Sequence, residues 1–402
     1  MRYIGNKTKL LPAIEGLLLE KGIAPPGVFL DIFSGSGAVS RRMKQLGWRV
    51  VANDHLVCAA TQARAAVELE RSPAFRSVLA RKELRSFARS TTGKEAIART
   101  EGDSHELRAV VAFLNQVPGA PGLISRQYSE GGPAGRRFFT RAVGERIDGV
   151  RETLARWRAD GALGSREEPV LLASLIDAAD RCANISGTYG AFLKTWQANA
   201  KGPLALRCPH VVPGKGSRVH CRDANELVRE VPCSVLYIDP PYNRRQYAKN
   251  YHVLEVIAEL ASVEDEAAYE ETIYGRTGLR EFEGRRSAYC LGRGEVSPCE
   301  AAFGDLLENA RAEHIVVSYN EEGILSREGF ERVLSRACPG FDMGRGLVEV
   351  SYKRFRSDKD QAARRSYRVL ADRKKDEVRE WLIYARKTTP ALRAPRTQLT
   401  GS

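Results

Sequence analysis

The N-terminal part of the chain alternates between short apolar runs and segments with apolar residues at helical spacing. The pattern predicts a helix over Thr8–Glu20, a strand over Val28–Ile32, a helix over Ala38–Leu46 and a strand over Val50–Ala52. The connection between the two strands is too long for a hairpin, so they are expected to lie parallel with the helix on one face of their sheet. This arrangement is a βαβ unit.

The pattern changes over residues 67–216. Apolar residues recur there at helical spacing, and loops rich in glycine and proline interrupt them. Within "GERIDGVRETLARWRADG", one helical stripe contains Ile147, Val150, Leu154 and Trp157, which predicts a surface helix facing a core. The stretch is interpreted as a mainly helical insertion.

Strands and helices alternate again after residue 217, in "SRVHCRDANELV", "CSVLYIDPPY", "YHVLEVIAELA", "EHIVVSYN" and "GLVEVSYKRF". Residues 1–66 and 217–388 are therefore predicted to form one α/β domain around the insertion, and residues 389–402 a disordered tail. A polar stretch between Glu264 and Cys299 carries many arginines and little periodicity, which is typical of a functional or mobile loop.

The charge balance favours a polyanionic partner. Among 402 residues, 63 Lys and Arg outnumber 50 Asp and Glu, which gives a net charge of +13 and favours nucleic acid. A basic surface without such a partner is the alternative. No apolar run approaches the roughly 18 residues of a membrane span. The start "MRYIGNKTKLL" also lacks the apolar core of a signal peptide, so a cytoplasmic protein is expected.

The cysteine pattern favours reduced thiols and no metal. The eight cysteines are scattered and form no CxxC pair. The tightest group of zinc-ligand types is Cys208, His210, His220 and Cys221. Its spacings lack the usual gaps of about two to four residues between ligands, so no metal site is predicted.

A glycine turn follows the first predicted strand. In "LDIFSGSGAVS", Asp31 lies near the strand end, and Gly35 and Gly37 lie in the turn before a helix. Such a turn lets an adenosine-like ligand approach the backbone, although many glycine turns are merely structural. Asp54 ends the next strand, where βαβ units place an acid for ribose hydroxyls, and Asp223 follows a third strand. Helix N-capping is the other interpretation of these acids.

The four residues "DPPY" end the apolar run "VLYI". An adenine amine is a poor nucleophile because its lone pair is delocalised into the ring, so a catalyst must accept hydrogen bonds from both amine protons. The Asp239 carboxylate and the Pro240 carbonyl supply two such acceptors, and the prolines bring no competing N–H. Tyr242 can stack on a base that has left the duplex. A simple turn that closes a strand is the alternative.

These segments together resemble the S-adenosylmethionine-dependent DNA adenine-N6 methyltransferases, the family of the Dam methylase and many restriction-modification enzymes. "RYIGNKTKLL" is similar to the family's N-terminal motif, which implies that Tyr3, Gly5 and Lys7 lie beside the cofactor. "DIFSGSG" is similar to its cofactor loop, and "DPPY" to its catalytic motif. The cofactor residues that the resemblance implies in these later segments are Asp31, Phe33, Gly35, Gly37, Asp54 and Asp223, and the catalytic ones are Asp239, Pro240, Pro241 and Tyr242.

The resemblance also implies a fold and an activity. The motif order is that of the alpha group, whose members have a Rossmann-like α/β fold with a seven-stranded, mainly parallel sheet and an inserted target-recognition domain. The implied activity is site-specific methylation of a flipped adenine in duplex DNA within a restriction-modification or related defence system. A monomer suffices for this, and a cognate restriction endonuclease or a second methyltransferase are further candidate partners. Cytosine-N4 methylation, an RNA amino-methyltransferase and an inactive DNA-binding regulator on the same fold are the alternatives.

Three basic segments are candidate nucleic-acid contacts. The residues nominated in them are Arg136, Arg137, Arg244, Arg245, Lys249, Arg276, Arg280, Arg285 and Arg286. Most should contact phosphates, which give affinity without sequence information. Compared with the family, the helical insertion and the arginine-rich loop are long, so the segment that reads the bases is left open.

Overall fold

A seven-stranded mixed sheet forms the centre of the protein. The computed structural model describes residues 2–259, 262–292, 297–353 and 377–387. The strands are β1 (Val28–Asp31), β2 (Arg49–Asn53), β3 (Arg218–His220), β4 (Cys233–Ile238), β5 (Ala312–Asn320), β6 (Leu347–Lys353) and β7 (Glu377–Arg386). Their order is β3-β2-β1-β4-β5-β7-β6, parallel from β3 to β5, with β7 antiparallel to both of its neighbours. The predicted Rossmann-like α/β class is confirmed.

Helices cover both faces of the sheet and are the main regular structure of the inserted stretch. Those of the sheet region are α1 (Leu11–Glu20), α2 (Ala38–Gln45), α3 (Val57–Ala63), α11 (Ala224–Leu227), α12 (Tyr247–Asn250), α13 (His252–Glu259), α14 (Glu266–Glu271), α15 (Pro298–Asn309), α16 (Arg327–Ala337) and α17 (Met343–Gly346). Those of the inserted stretch are α4 (Arg76–Leu79), α5 (Lys82–Arg89), α6 (Thr91–Arg99), α7 (His105–Leu114), α8 (Leu123–Tyr128), α9 (Arg141–Ala159) and α10 (Glu168–Cys182). In the described parts of the chain, no helix has the length and apolarity needed to cross a membrane.

The predicted βαβ unit is present with small shifts at its boundaries. Phe29 pairs with Val50 in parallel register, and α2 connects their strands. The first helix begins at Leu11 and not at Thr8, because residues 7–10 form a tighter 3₁₀ turn in which the Asn6 side chain accepts from the Thr8 amide. This turn carries Lys7 toward the sheet.

The inserted stretch shares its hydrophobic core with the sheet region. The predicted stripe on α9 is confirmed, since its four residues are buried. They belong to the same apolar cluster as Cys58 on α3 and Val253 on α13. This contact fixes the helical stretch beside the catalytic motif. The division at residues 67 and 216 stays a prediction, and the predicted tail, residues 389–402, lies outside the described residues.

The polar stretch after α13 is more ordered than its sequence pattern predicts. Its described residues contain α14 and two short 3₁₀ turns, over residues 283–285 and 288–290. The second turn buries Tyr289 against Phe33 and Phe303, with ring centroids 5.0 Å apart in each pair. The loop is therefore packed onto the sheet at the ends of β1 and β3.

Candidate active site

One cavity of about 270 Å³ lies at the carboxyl ends of β1, β2 and β4, where ligands bind in open α/β sheets. The predicted cofactor and catalytic residues that line it are Tyr3, Gly5, Lys7, Asp31, Phe33, Gly35, Asp54, Asp223, Asp239, Pro240, Pro241 and Tyr242. Gly37 is not among its lining residues. It precedes α2 with a φ of 69°, so its part is to turn the backbone into the helix.

The glycine turn is closed tightly by an aromatic ring. Gly35 has a φ of 49°, and a Cβ there would lie 2.7 Å from a ring carbon of Tyr3. Tyr3 itself stacks on Tyr251, with 4.8 Å between the centroids and 3° between the planes. Only glycine satisfies both the left-handed backbone and the close ring. The N-terminal segment and the glycine turn thus form one wall of the cavity.

Asp31 presents an unused acceptor to this cavity. Its side chain is buried; Oδ2 accepts from the Ser40 hydroxyl at 2.5 Å, while Oδ1 has no donor among the described residues. Burial raises the pKa of Asp31 to about 7. A buried carboxyl oxygen without a donor is costly, so the site suits a ligand that brings a donor or a positive charge.

Asp54 and Asp223 are each held by backbone amides. Asp54 accepts from the Gly35 amide at 2.8 Å and from the Leu56 amide at 2.9 Å, and burial raises its pKa to about 6. Asp223 caps α11 through Oδ1, which accepts from Asn225 and Glu226. The capping interpretation of Asp223 is therefore realised, although the residue also lines the cavity.

The catalytic turn leaves two acceptors open. Lys7 lies 3.0 Å from Asp239 Oδ1. Within the ranges that the structure describes, no hydrogen bond is donated to Asp239 Oδ2 or to the Pro240 carbonyl. Burial raises the pKa of Asp239 to about 7, although Lys7 opposes the rise. The turn can thus accept two hydrogen bonds from one ligand.

Tyr242 presents an aromatic face beside these acceptors. Its ring packs edge-on against Tyr319 at 6.3 Å, and Lys7 Nζ lies 5.6 Å from its centroid. On its other side, a Cβ added to Gly5 would lie 3.4 Å from its Cε1 atom. The ring is therefore fixed in orientation while it still lines the cavity.

Sequence reasoning missed two contributors to this site. Glu380 on β7 is fully buried and pairs with Lys7, although it follows Lys7 by more than 370 positions. Tyr251 stacks under Tyr3 and accepts from the Ile4 amide at 2.7 Å. An acid two positions before Leu382 in an apolar strand was the only signal for Glu380, and strand periodicity alone does not say which element faces it.

Comparison with known proteins decides the family. The model of the D12 class N6 adenine-specific DNA methyltransferases matches residues 3–331. The chain belongs to this D12 class.

Similar proteins agree with this membership. The type II methyltransferase M.FokI of Planomicrobium okeanokoites is 33% identical over 388 residues, 96% of this chain and 53% of its own length. The type II methyltransferase M.NlaIII of Neisseria lactamica is 32% identical over 369 residues, 90% of this chain and 94% of its own length. The modification methylase StsI of Streptococcus sanguinis is 29% identical over 374 residues, 92% of this chain and 51% of its own length. This D12-class chain therefore spans about half the length of M.FokI and StsI and most of M.NlaIII.

Two of the arginines nominated for DNA contact are buried in this D12-class protein. Arg136 is buried and donates to the carbonyls of Gln127, Gly275 and Arg276. Arg280 is 5% exposed and pairs with Glu255 and Glu259 at 3.1 and 2.6 Å. Both guanidinium groups are buried and donate to internal acceptors, while Arg136 also lines the depression that Arg137 and Arg276 line, so DNA contact by these two residues stays a prediction.

Two further arginines flank the cavity. Arg285 donates to the His55 carbonyl at 2.5 Å and lies 3.4 Å from Glu259, so it too is engaged internally. Arg286 is more than half exposed and pairs with the exposed Glu283. Both line the cavity. DNA contact by these two residues stays a prediction.

The other nominated cations gather on one surface. Arg137 and Arg276 line a depression with Lys194, and Arg244, Arg245 and Lys249 line a second depression with Thr277 and Leu279. The segment that follows the catalytic turn, the inserted stretch and the arginine-rich loop all contribute to this surface, which we call the basic rim. The side chains of its nominated cations are exposed.

Proposed function

We propose that this chain transfers a methyl group from S-adenosylmethionine to the N6 amine of an adenine flipped out of duplex DNA. Membership of the D12 class supports the reaction and its substrate. The observation that carries the proposal is the pair of open acceptors, Asp239 Oδ2 and the Pro240 carbonyl, beside the face of Tyr242.

The two acceptors match the two protons of the adenine amine. Hydrogen bonds to both protons draw the nitrogen away from planarity and direct its lone pair outward, and the Asp239 carboxylate favours the positive charge that develops there. Tyr242 stacks on the extruded base, a contact worth about 1–3 kcal/mol. The fixed geometry of the turn supplies most of the gain through orientation.

The residues of the cavity fit S-adenosylmethionine. When bound, this cofactor supplies an electrophilic methyl group on a sulfonium sulfur. Asp31 offers its unused oxygen, Asp54 at the end of β2 would accept from the ribose hydroxyls, and Asp223 lies beside the loop that carries Tyr289. Gly35 leaves space that a Cβ would fill. Acidic side chains in one partly buried cavity also suit a cation.

The basic rim is the proposed DNA surface. Its exposed cations, Arg137, Lys194, Arg244, Arg245, Lys249 and Arg276, lie on segments that flank the catalytic turn. Contacts of such residues with phosphates orient the duplex and make affinity fall with salt. The type II methyltransferases and modification methylase among its relatives support a restriction-modification role with a partner endonuclease or second methyltransferase. One active site methylates one DNA strand at a time, so a single chain suffices for the reaction.

The test is methyl transfer to plasmid DNA, with the digested nucleosides identified by mass spectrometry and the modified positions read by sequencing. The proposal expects N6-methyladenine in one short sequence context. N4-methylcytosine would overturn the assigned base. Methyl transfer to RNA but not to DNA would overturn the assigned substrate. Cofactor binding without transfer to any nucleic acid would identify an inactive member of the family.

A further inference from the structure

A buried acid lies behind the catalytic turn and is not explained by the family match. Glu380 is on β7, beyond the matched residues 3–331. Its side chain is fully buried and accepts from the Ser318 hydroxyl at 2.8 Å and from Lys7. A buried carboxylate is costly unless it is paired, and Lys7 is the cation that pairs with Glu380.

Lys7 joins Glu380 to the catalytic residues. Its side chain is 4% exposed, and its ammonium group lies between two carboxylates, Glu380 on one side and Asp239 Oδ1, at 3.0 Å, on the other. The same group lies 5.6 Å from the Tyr242 ring centroid. One cation is thus shared by two acids, and only one of these acids lines the cavity.

We propose that Glu380 is a positioning residue for methyl transfer, because it holds Lys7 to one side of Asp239 and so keeps the second oxygen of Asp239 available as an acceptor. The inference rests on the proposed function. A lysine ammonium is a mobile group on a flexible stem with three donors. Without Glu380, Lys7 is free to engage both oxygens of Asp239 or to move into the space that the base would occupy.

The charged groups around Asp239 allow a charge effect of Glu380 to be distinguished from a packing effect, because only the charge effect changes the pKa of Asp239. The titratable groups facing Asp239 are Lys7, Glu380, Asp31, Tyr237, Tyr242 and Tyr247. Of these, Lys7 lowers the pKa of Asp239, while Glu380 and Asp31 raise it. Removing the charge of Glu380 should therefore lower the pKa of Asp239, and removing the charge of Lys7 should raise it.

The experiment compares pH profiles of methyl transfer for the wild type, Glu380→Gln and Lys7→Met. Glu380→Gln keeps the size of the side chain and an acceptor for Ser318 but removes its charge. We expect its plateau rate to fall on the order of ten- to a hundred-fold through lost orientation. The acidic limb of the Glu380→Gln pH–rate profile should move to lower pH by about one unit. The acidic limb of the Lys7→Met profile should move to higher pH by a similar amount.

A matched control comes from the neighbouring strand. Glu349 on β6 is an exposed acid that pairs with Arg379 at 3.0 Å, so Glu349→Gln should change neither the plateau nor the limb. Binding of S-adenosylhomocysteine, measured by calorimetry, checks that each variant is folded. If Glu380→Gln does not fold, the opposite shift of the limb in Lys7→Met still tests the charge argument.

Two results would overturn the inference. One is a Glu380→Gln variant with a wild-type rate, and the other is a reduced rate whose acidic limb does not move, which indicates a purely structural acid. Failure of the proposed function looks different, since the wild type itself would then not methylate DNA.

Discussion

Two clusters in this protein each centre on a buried base between two acids, the second with Arg285 beside it, and they differ in the acceptors that they leave open. In the first, Lys7 lies between Asp239 and Glu380. In the second, Arg280 lies between Glu255 and Glu259. The first borders the cavity, and the second joins α13 to the arginine-rich loop.

The second cluster leaves no carboxylate oxygen open, although Arg280 Nε has no acceptor among the described residues. Glu255 accepts from the Cys58 amide through Oε1 and from Arg280 through Oε2. Glu259 accepts from Arg280 through Oε1 and from the Tyr269 hydroxyl through Oε2. Every carboxyl oxygen has a donor, so the cluster can hold elements together and has no acceptor left for a ligand.

The first cluster is incomplete in the protein alone. Asp239 Oδ2 receives no hydrogen bond within the described part of the chain, and this residue lines the cavity. Burial raises its pKa to about 7. We infer from the comparison that buried charge marks a functional site where an acceptor is left open beside a cavity, and a structural site where every acceptor is used.

The largest expected effect tests the structural cluster. Arg280→Met leaves Glu255 and Glu259 buried with only partial help from Arg285, which lies 3.9 and 3.4 Å away. Removing one partner of a buried ion pair costs about 3–5 kcal/mol. Because Arg285 still partly compensates the two acids, we expect the free energy of unfolding to fall by about 3 kcal/mol. Urea denaturation measures it. Arg286→Ala, which removes an exposed ion pair with Glu283, is the control and should cost less than about 1 kcal/mol. Equal effects of the two variants would contradict the comparison.

A pH profile tests the incomplete cluster. The open oxygen acts as an acceptor only when Asp239 is ionised, and its raised pKa of about 7 means that it takes up a proton as the pH falls through that value. The kcat/KM for duplex DNA should therefore fall about ten-fold per pH unit on the acidic side. Bound S-adenosylmethionine is a cation and stabilises the Asp239 carboxylate, so the acidic limb of the pH profile should lie at or below pH 7. A rate that is flat from pH 5 to pH 9 would contradict this account.

The smallest effect separates two arginines of one loop. Arg276 is exposed on the basic rim, whereas Arg280 is buried four positions later. Arg276→Ala should leave the unfolding free energy unchanged and lower the slope of DNA affinity against salt by about one. Fluorescence anisotropy with a labelled duplex at several salt concentrations measures this. An unchanged slope would remove Arg276 from the proposed DNA surface.

The local parts of this architecture were predictable from the sequence. Periodicity predicted the βαβ unit, and the glycine turn and the "DPPY" segment predicted part of the cavity lining, because these features depend on neighbours in the chain. Arg136 and Arg280 were nominated for DNA contact, whereas the structure buries both and gives them internal partners. An arginine in a basic segment has the same pattern whether its partner is a phosphate or an internal carbonyl. Glu380 was missed because its role depends on β7 lying antiparallel beside β5, which brings distant residues together.

The most direct test of the central claim is the single-turnover rate of methyl transfer to duplex DNA by Asp239→Asn, with S-adenosylhomocysteine binding measured in parallel. The variant keeps the size of the side chain but replaces the carboxylate with a neutral amide. The account predicts a rate reduced on the order of a hundred- to a thousand-fold, with product affinity changed only a few-fold. A rate within several-fold of the wild type would show that the open carboxylate is not what distinguishes this cluster.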